Sequence, residues 1–134
     1  MTDILKRAGM TDCKPRATPI SASKPTISNA DLYDDVTHYR SLAGVLQYLT
    51  VTRPDLSFTV NQLCQHMHAP TVSHWEQLKH VIRYVKGTIT SGLRIWRSVS
   101  RELHAFSDSD WAGYHEDRKS TSGYAVFLGS NLIS

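Results

Sequence analysis

The sequence predicts an α+β protein, a helical segment followed by the opening strands of a β-sheet. Three observations lead there. Apolar residues recur at helical spacing in three successive stretches between residues 36 and 88. From Gly92 onward the apolar period shortens to that of strands. The run Phe106-Ser107-Asp108-Ser109-Asp110-Trp111-Ala112-Gly113 then sets a carboxylate at the end of a short apolar strand, ahead of a basic loop and a second strand. Helices followed by strands suit one α+β domain or pieces of two, and the two-piece division is preferred here.

Residues 1–10 read as the tail of a helix, with Ile4, Leu5 and Ala8 apolar and Gly9 as a stop signal. Residues 11–35 are rich in Pro, Ser, Thr and Asp and lack periodicity, so a loop is expected. In the first helix Tyr39, Leu42, Leu46 and Leu49 form one stripe, which ends near Thr52 because the residue before Pro54 is pushed away from helical geometry. Pro54 suits the first turn of the next helix, whose stripe is Leu56, Val60, Leu63 and Met67, closed by Ala69-Pro70. The third helix is expected to open on a capping box of Ser73 and Glu76, to bury Trp75, Leu78, Ile82 and Val85, and to end at Gly87.

Beyond Gly92, Leu93 and Ile95 alternate with Arg94 and Trp96 as a strand would. Leu103, Ala105 and Phe106 lead a strand into Asp108. Tyr124–Leu128, bounded by Gly123 and Gly129, has the pattern of a buried strand. Gly129-Ser130-Asn131 is the expected turn, and Leu132-Ile133 the start of a third strand. A sheet this small leaves an unpaired edge and an uncovered apolar face.

At 134 residues and 40% hydrophobic the chain has enough apolar material for a core. A formal charge of +3 admits nucleic acid as a partner without demanding it. No apolar run approaches the roughly 20 residues of a membrane span. The N-terminus has no secretory pattern, so an intracellular, non-membrane protein is expected. Cys13 and Cys64, far apart and without a framework pattern, favour a reducing compartment.

Several short runs resemble copia-type retrotransposon Pol polyproteins, in that family's order: Tyr39-Arg40-Ser41-Leu42-Ala43-Gly44, Thr52-Arg53-Pro54-Asp55, Met67-His68-Ala69-Pro70-Thr71, His74-Trp75 and Arg83-Tyr84-Val85-Lys86-Gly87-Thr88. Gly9–Pro15 and Thr18-Pro19-Ile20 resemble the segment after the polymerase palm, and Phe106–Gly113 with Asp117–Tyr124 resembles the opening of the ribonuclease H domain. The resemblance implies that residues 1–35 are the end of the palm segment and a linker. It assigns 36–90 to the thumb and connection region of a reverse transcriptase and 91–134 to the first part of a ribonuclease H-like domain. The polymerase carboxylates of the family lie in a Tyr-x-Asp-Asp hairpin absent from this sequence. Tyr33-Asp34-Asp35 imitates it but is one residue short and sits in a polar loop.

Ribonuclease H chemistry holds two divalent ions roughly 4 Å apart against the scissile phosphate, and needs acids from several elements. The resemblance makes Asp108 the first of these, a catalytic carboxylate and metal ligand in an incomplete site. Its helix glutamate and later aspartate are expected beyond Ser134. Asp110 shares the strand face of Asp108 if the strand continues, and is a weak second metal ligand. Family members commonly carry an acid after Trp-Ala-Gly, where this sequence has Tyr114. Magnesium is the cofactor implied for the intact parent, and an RNA–DNA hybrid its substrate.

Lys79, Arg83 and Lys86 form a basic stripe on the third helix, facing away from the Trp75 side and suited either to phosphate contact or simply to solvent. Arg118 and Lys119 join them as candidate nucleic-acid contacts, and Arg94, Arg97 and Arg101 extend the basic character. Cys64, His66 and His68 tempt a zinc reading but lack a second ligand pair. His104 and His115 have no nucleophile motif beside them. Two main readings follow: a reverse transcriptase/ribonuclease H fragment without a complete active site, or a small noncatalytic nucleic-acid-binding or interaction module. An enzyme completed in trans by another polypeptide is a third.

Overall fold

The computed structural model describes residues 1–20, 31–109, 120 and 122–134, which divide into two units, Met1–Gly92 and Leu93–Ser134. The first holds helices α1 (Thr2–Arg7), α2 (Val36–Leu49), α3 (Ser57–Gln65) and α4 (Val72–Gly87), with a 3₁₀ turn at Pro54–Leu56 ahead of α3. The second holds strands β1 (Leu103–Ser109), β2 (Ser122–Leu128) and β3 (Asn131–Leu132). The mixed helix and sheet composition agrees with the α+β class.

Every helix of the first unit turns its apolar stripe to one core. Tyr39, Leu42 and Leu46 of α2, Val60 and Leu63 of α3, and Leu78, Ile82 and Val85 of α4 are buried there, as their spacing predicts. Ile4 and Leu5 of α1 are buried in the same core, so residues set apart as a preceding segment pack with the helices. The Tyr39 hydroxyl donates to the Leu63 carbonyl at 2.9 Å, pairing a phenol that burial would otherwise penalise and tying α2 to α3. Burial first, and then Cys64, raises the pKa of that phenol.

Two helix ends differ from expectation. The N-cap of α4 is Thr71: its Oγ1 accepts from the His74 amide at 3.3 Å, and His74 Nδ1 accepts from the Thr71 amide at 3.1 Å. An imidazole nitrogen thus takes the place of the Glu or Gln oxygen that a capping-box search looks for. Ser73 and Glu76 lie inside the first turns, where the Glu76 carboxylate instead meets Lys79 at 2.5 Å. Helix α3 ends at Gln65, earlier than Ala69-Pro70, and Arg40 Nε donates to the Met67 carbonyl at 2.7 Å in the turn that follows.

In the second unit β1 and β2 run antiparallel, with Leu103 opposite Leu128 and Asp108 opposite Gly123, and β3 pairs antiparallel with the end of β2. Phe106 and Phe127 meet edge to face, ring centres 5.9 Å apart. Two expectations fail here. Tyr124–Leu128 is a strand but not a buried one, since Tyr124 is 72% exposed and Leu128 41%. A hairpin with one short extra strand has no second layer of its own to cover its faces.

Residues 93–96 form no strand. There the Asn131 side chain takes the partner's role: its Oδ1 accepts from the Trp96 amide at 2.7 Å and its Nδ2 donates to the Trp96 carbonyl at 2.9 Å. Asn131 belongs to β3 rather than to the turn, and is the one buried residue among the described residues of this unit. Gly129 makes the turn at φ +58°, and a Cβ there would collide with the Ser98 hydroxyl.

Candidate nucleic-acid interface and strand carboxylate

Two of the short runs singled out in the sequence meet in space. Arg53 lies 2% exposed between the 3₁₀ turn and the end of α4. Its guanidinium grips Asp55 through Nε to Oδ1 at 2.9 Å and Nη2 to Oδ2 at 2.7 Å, the fork geometry suited to a carboxylate. The other face of the fork reaches Thr88, with Nη1 to the carbonyl and Nη2 to Oγ1, both 2.9 Å. Tyr84 completes the group, its hydroxyl donating to Asp55 Oδ2 at 2.9 Å and its ring 5.6 Å below the guanidinium carbon. The hydrogen bonds from Arg53 hold the Asp55 carboxyl below the usual carboxylate range. Thr52–Asp55 and Arg83–Thr88 are thus halves of one joint that locks α3 to α4. Arg53 is buried while Asp55 keeps contact with solvent, and every one of these bonds runs between side chains or to the main chain of the same unit.

The basic stripe on α4 also finds partners within the unit. Residues 11–18 cross α4 as a strap. Lys86 Nζ donates to the carbonyls of Thr11 at 2.5 Å and Cys13 at 2.7 Å, and Arg83 Nε to that of Lys14 at 2.8 Å. The Arg16 amide returns a bond to the Arg83 carbonyl at 3.2 Å, and His80 Nε2 lies 2.9 Å from the Thr18 carbonyl. Gly87 leaves room for the crossing, since a Cβ there would meet the Arg16 carbonyl at 3.0 Å and Pro15 at 3.1 Å. Lys79 pairs with Glu76 and also lies 5.8 Å from the centre of the Trp75 ring, so the stripe does not turn wholly away from Trp75. Sequence reasoning missed the strap because main-chain acceptors leave no side-chain signature. Arg118 and Lys119 lie outside the described residues.

Asp108 stands next to the end of β1, opposite Gly123 and exposed. Strand alternation puts it on the face of His104 and Phe106, with no side chain directly across from it. Asp110 lies outside the described residues. Among the described residues no group of three or more His, Cys, Asp or Glu is arranged to hold a metal ion. One exposed carboxylate does not fit a magnesium site, because magnesium sheds its waters only for several well-placed oxygens.

Several of the remaining candidates take part in packing and capping. Asp35 of the Tyr33-Asp34-Asp35 run is the N-cap of α2, its Oδ1 accepting from the His38 amide at 2.8 Å. Tyr33 stacks on Trp75 with ring centres 4.7 Å apart, and its amide donates to the Pro70 carbonyl at 2.8 Å. These contacts fasten the start of α2 to the start of α4. Cys13 and Cys64 are free thiols, and burial raises the pKa of Cys64. His66 stacks on His74, ring centres 3.7 Å apart, while His68 is exposed. His104 lies 3.6 Å from Glu102, an exposed pair that is ionic only when the ring is protonated. His115 lies outside the described residues. Among the described residues no helix is long and apolar enough to cross a membrane.

Over 98% of its length the chain is 50% identical to an uncharacterized mitochondrial protein of Arabidopsis thaliana and spans 55% of it. It is 48% identical, again over 98% of its length, to the retrovirus-related Pol polyprotein from transposon RE2 of Arabidopsis thaliana, and spans 9% of that protein. The corresponding polyprotein from transposon TNT 1-94 of Nicotiana tabacum is 32% identical, with 98% of this chain and 10% of the polyprotein covered. No family profile and no solved structure matches. The two Pol polyproteins among these relatives define a class of retroelement polyprotein sequences. Within that class, the chain belongs to the copia-type retrotransposon Pol family.

Proposed function

We propose that this chain is the part of a retrotransposon Pol polyprotein that links the thumb and connection region of a reverse transcriptase to the start of ribonuclease H. Its partner is an RNA–DNA hybrid, bound through phosphates. The observation that carries this reading is the similarity to Pol polyproteins over 98% of the chain, together with the basic residues of α4. Lys79, Arg83 and Lys86, with Arg118 and Lys119, contribute to the basic surface proposed to face the duplex. Such contacts are sequence-independent and weaken with salt. In the polyprotein Asp108 would supply one carboxylate of a ribonuclease H site. Among the described residues no group of three or more His, Cys, Asp or Glu forms a metal site, and binding without cleavage is the behaviour proposed for the chain.

The noncatalytic module is the second reading, favoured by a helical unit whose core is closed by its own side chains. One experiment separates the readings. The chain is titrated against a labelled hybrid at rising salt, then incubated with it and magnesium. Salt-sensitive binding without cleavage is expected. Absence of binding near physiological salt removes nucleic acid as the partner. Magnesium-dependent cleavage that disappears in Asp108→Asn overturns the noncatalytic assignment.

A further inference from the structure

The strap changes which cations are placed to meet a polyanion. Arg83 and Lys86 are half-buried and hold carbonyl oxygens of residues 11–14, while Lys79 is half-buried against Glu76 and Trp75. The same bonds fix the backbone of Lys14 and Arg16 across α4, and both of these side chains are exposed. Neutral carbonyl partners leave the charges of Arg83 and Lys86 uncancelled. Among the described residues no ion pair involves Lys14, Arg16, Arg83 or Lys86. Four formal positive charges are therefore gathered at one crossing, two as struts beneath and two as outward side chains above. The only acid on the strap is the exposed Asp12.

We propose that the strap, through Lys14 and Arg16, is the phosphate-contacting element of this protein, and that Arg83 and Lys86 act as positioning residues which hold it in place. The occupant is the phosphodiester backbone of a nucleic-acid duplex. Two exposed cations at alternate positions of one segment suit a ligand with regularly repeated negative charge. This deepens the nucleic-acid reading above and rests on it.

The test measures hybrid affinity of the full chain against salt, for the unmodified protein, for Lys14→Ala/Arg16→Ala, and for Lys6→Ala. Both strap side chains are exposed, so the double variant is expected to fold, as the helical circular dichroism of each protein will show. The slope of log affinity against log salt is expected to fall by about 2 in the double variant, roughly one for each phosphate that is no longer neutralised. In Lys6→Ala, which removes an exposed cation of α1 outside the strap, it is expected to change by clearly less than one. If the unmodified chain binds and the double variant keeps its slope, the strap assignment is overturned while the broader reading stands. If the unmodified chain does not bind, both fall. Tighter binding to vesicles rich in anionic lipid than to the hybrid also overturns the proposal, by naming a membrane surface instead.

Discussion

The two units of this chain are ordered by different forces. All thirteen side chains of the hydrophobic core among the described residues belong to the helical unit, and no apolar side chain of the described strand unit is buried. In the helical unit, side chains close a core and also tie the irregular segments: Tyr39 to Leu63, Arg53 to Thr88, Lys86 to the strap. In the strand unit, main-chain pairing and one buried amide, Asn131, hold the elements, while Phe106 remains 63% exposed. Main-chain hydrogen bonds contribute little net stability when water competes for them, whereas apolar burial contributes about 25 cal/mol per Å². A chain can thus be regular in two places and robust in one.

Hydrogen exchange is the most direct way to break this comparison. Amides of α2 and α4 are expected to be protected well beyond those of residues 103–109 and 122–134. Equal protection in both units would refute the contrast. Next in size is a pair of truncations. Leu46→Ala, at a fully buried site, is expected to cost about 3–4 kcal/mol in a denaturant melt followed by helical circular dichroism. Phe127→Ala, half-buried on the sheet, should leave that melt unchanged.

Arg53→Met keeps the stem but removes the fork, leaving Asp55 and Thr88 without their partner. Roughly 3 kcal/mol is expected, at the low end for a broken buried ion pair because Asp55 retains contact with water. Asn131→Ala removes both bonds to Trp96, at about 1 kcal/mol each. Trp96 fluorescence should shift in that variant while the helical signal holds. Smallest is a pH effect. The Asp55 carboxyl is held below its ordinary value, so its contribution is complete above the unfolded carboxylate pKa of about 4. That contribution is lost as pH falls through the lower, folded value. Stability of the helical unit should decline on acidification below about pH 4, and Asp55→Asn should lessen that decline.

How much of this could be read in the sequence follows the same division. The stripes of α2, α3 and α4 were legible because apolar side chains at helical spacing must share a face, and Leu78, Ile82 and Val85 do. The strand leading to Asp108 was legible for the analogous reason. Arg53 was not, because an arginine reads as solvent-facing until its acceptors are known. His74 as a cap and Lys86 as a strut were hidden likewise, since one partner in each bond is main chain. Residues 93–96 show the opposite error: alternation imitated a strand where a side-chain amide had taken the neighbour's place. The candidate site was legible in its residue types but not in its use, for the stripe on α4 proved to carry another segment.

The amide of Asn131 acts as a key in a lock. Slip β3 by one residue in either direction, and Ser130 or Leu132 would face Trp96. A hydroxymethyl is too short to offer a donor and an acceptor at amide spacing, and an isobutyl group offers neither. Misaligned hairpins would therefore leave the Trp96 amide and carbonyl without these partners. In a sheet too thin to be aligned by a core, the choice of register is delegated to one side chain.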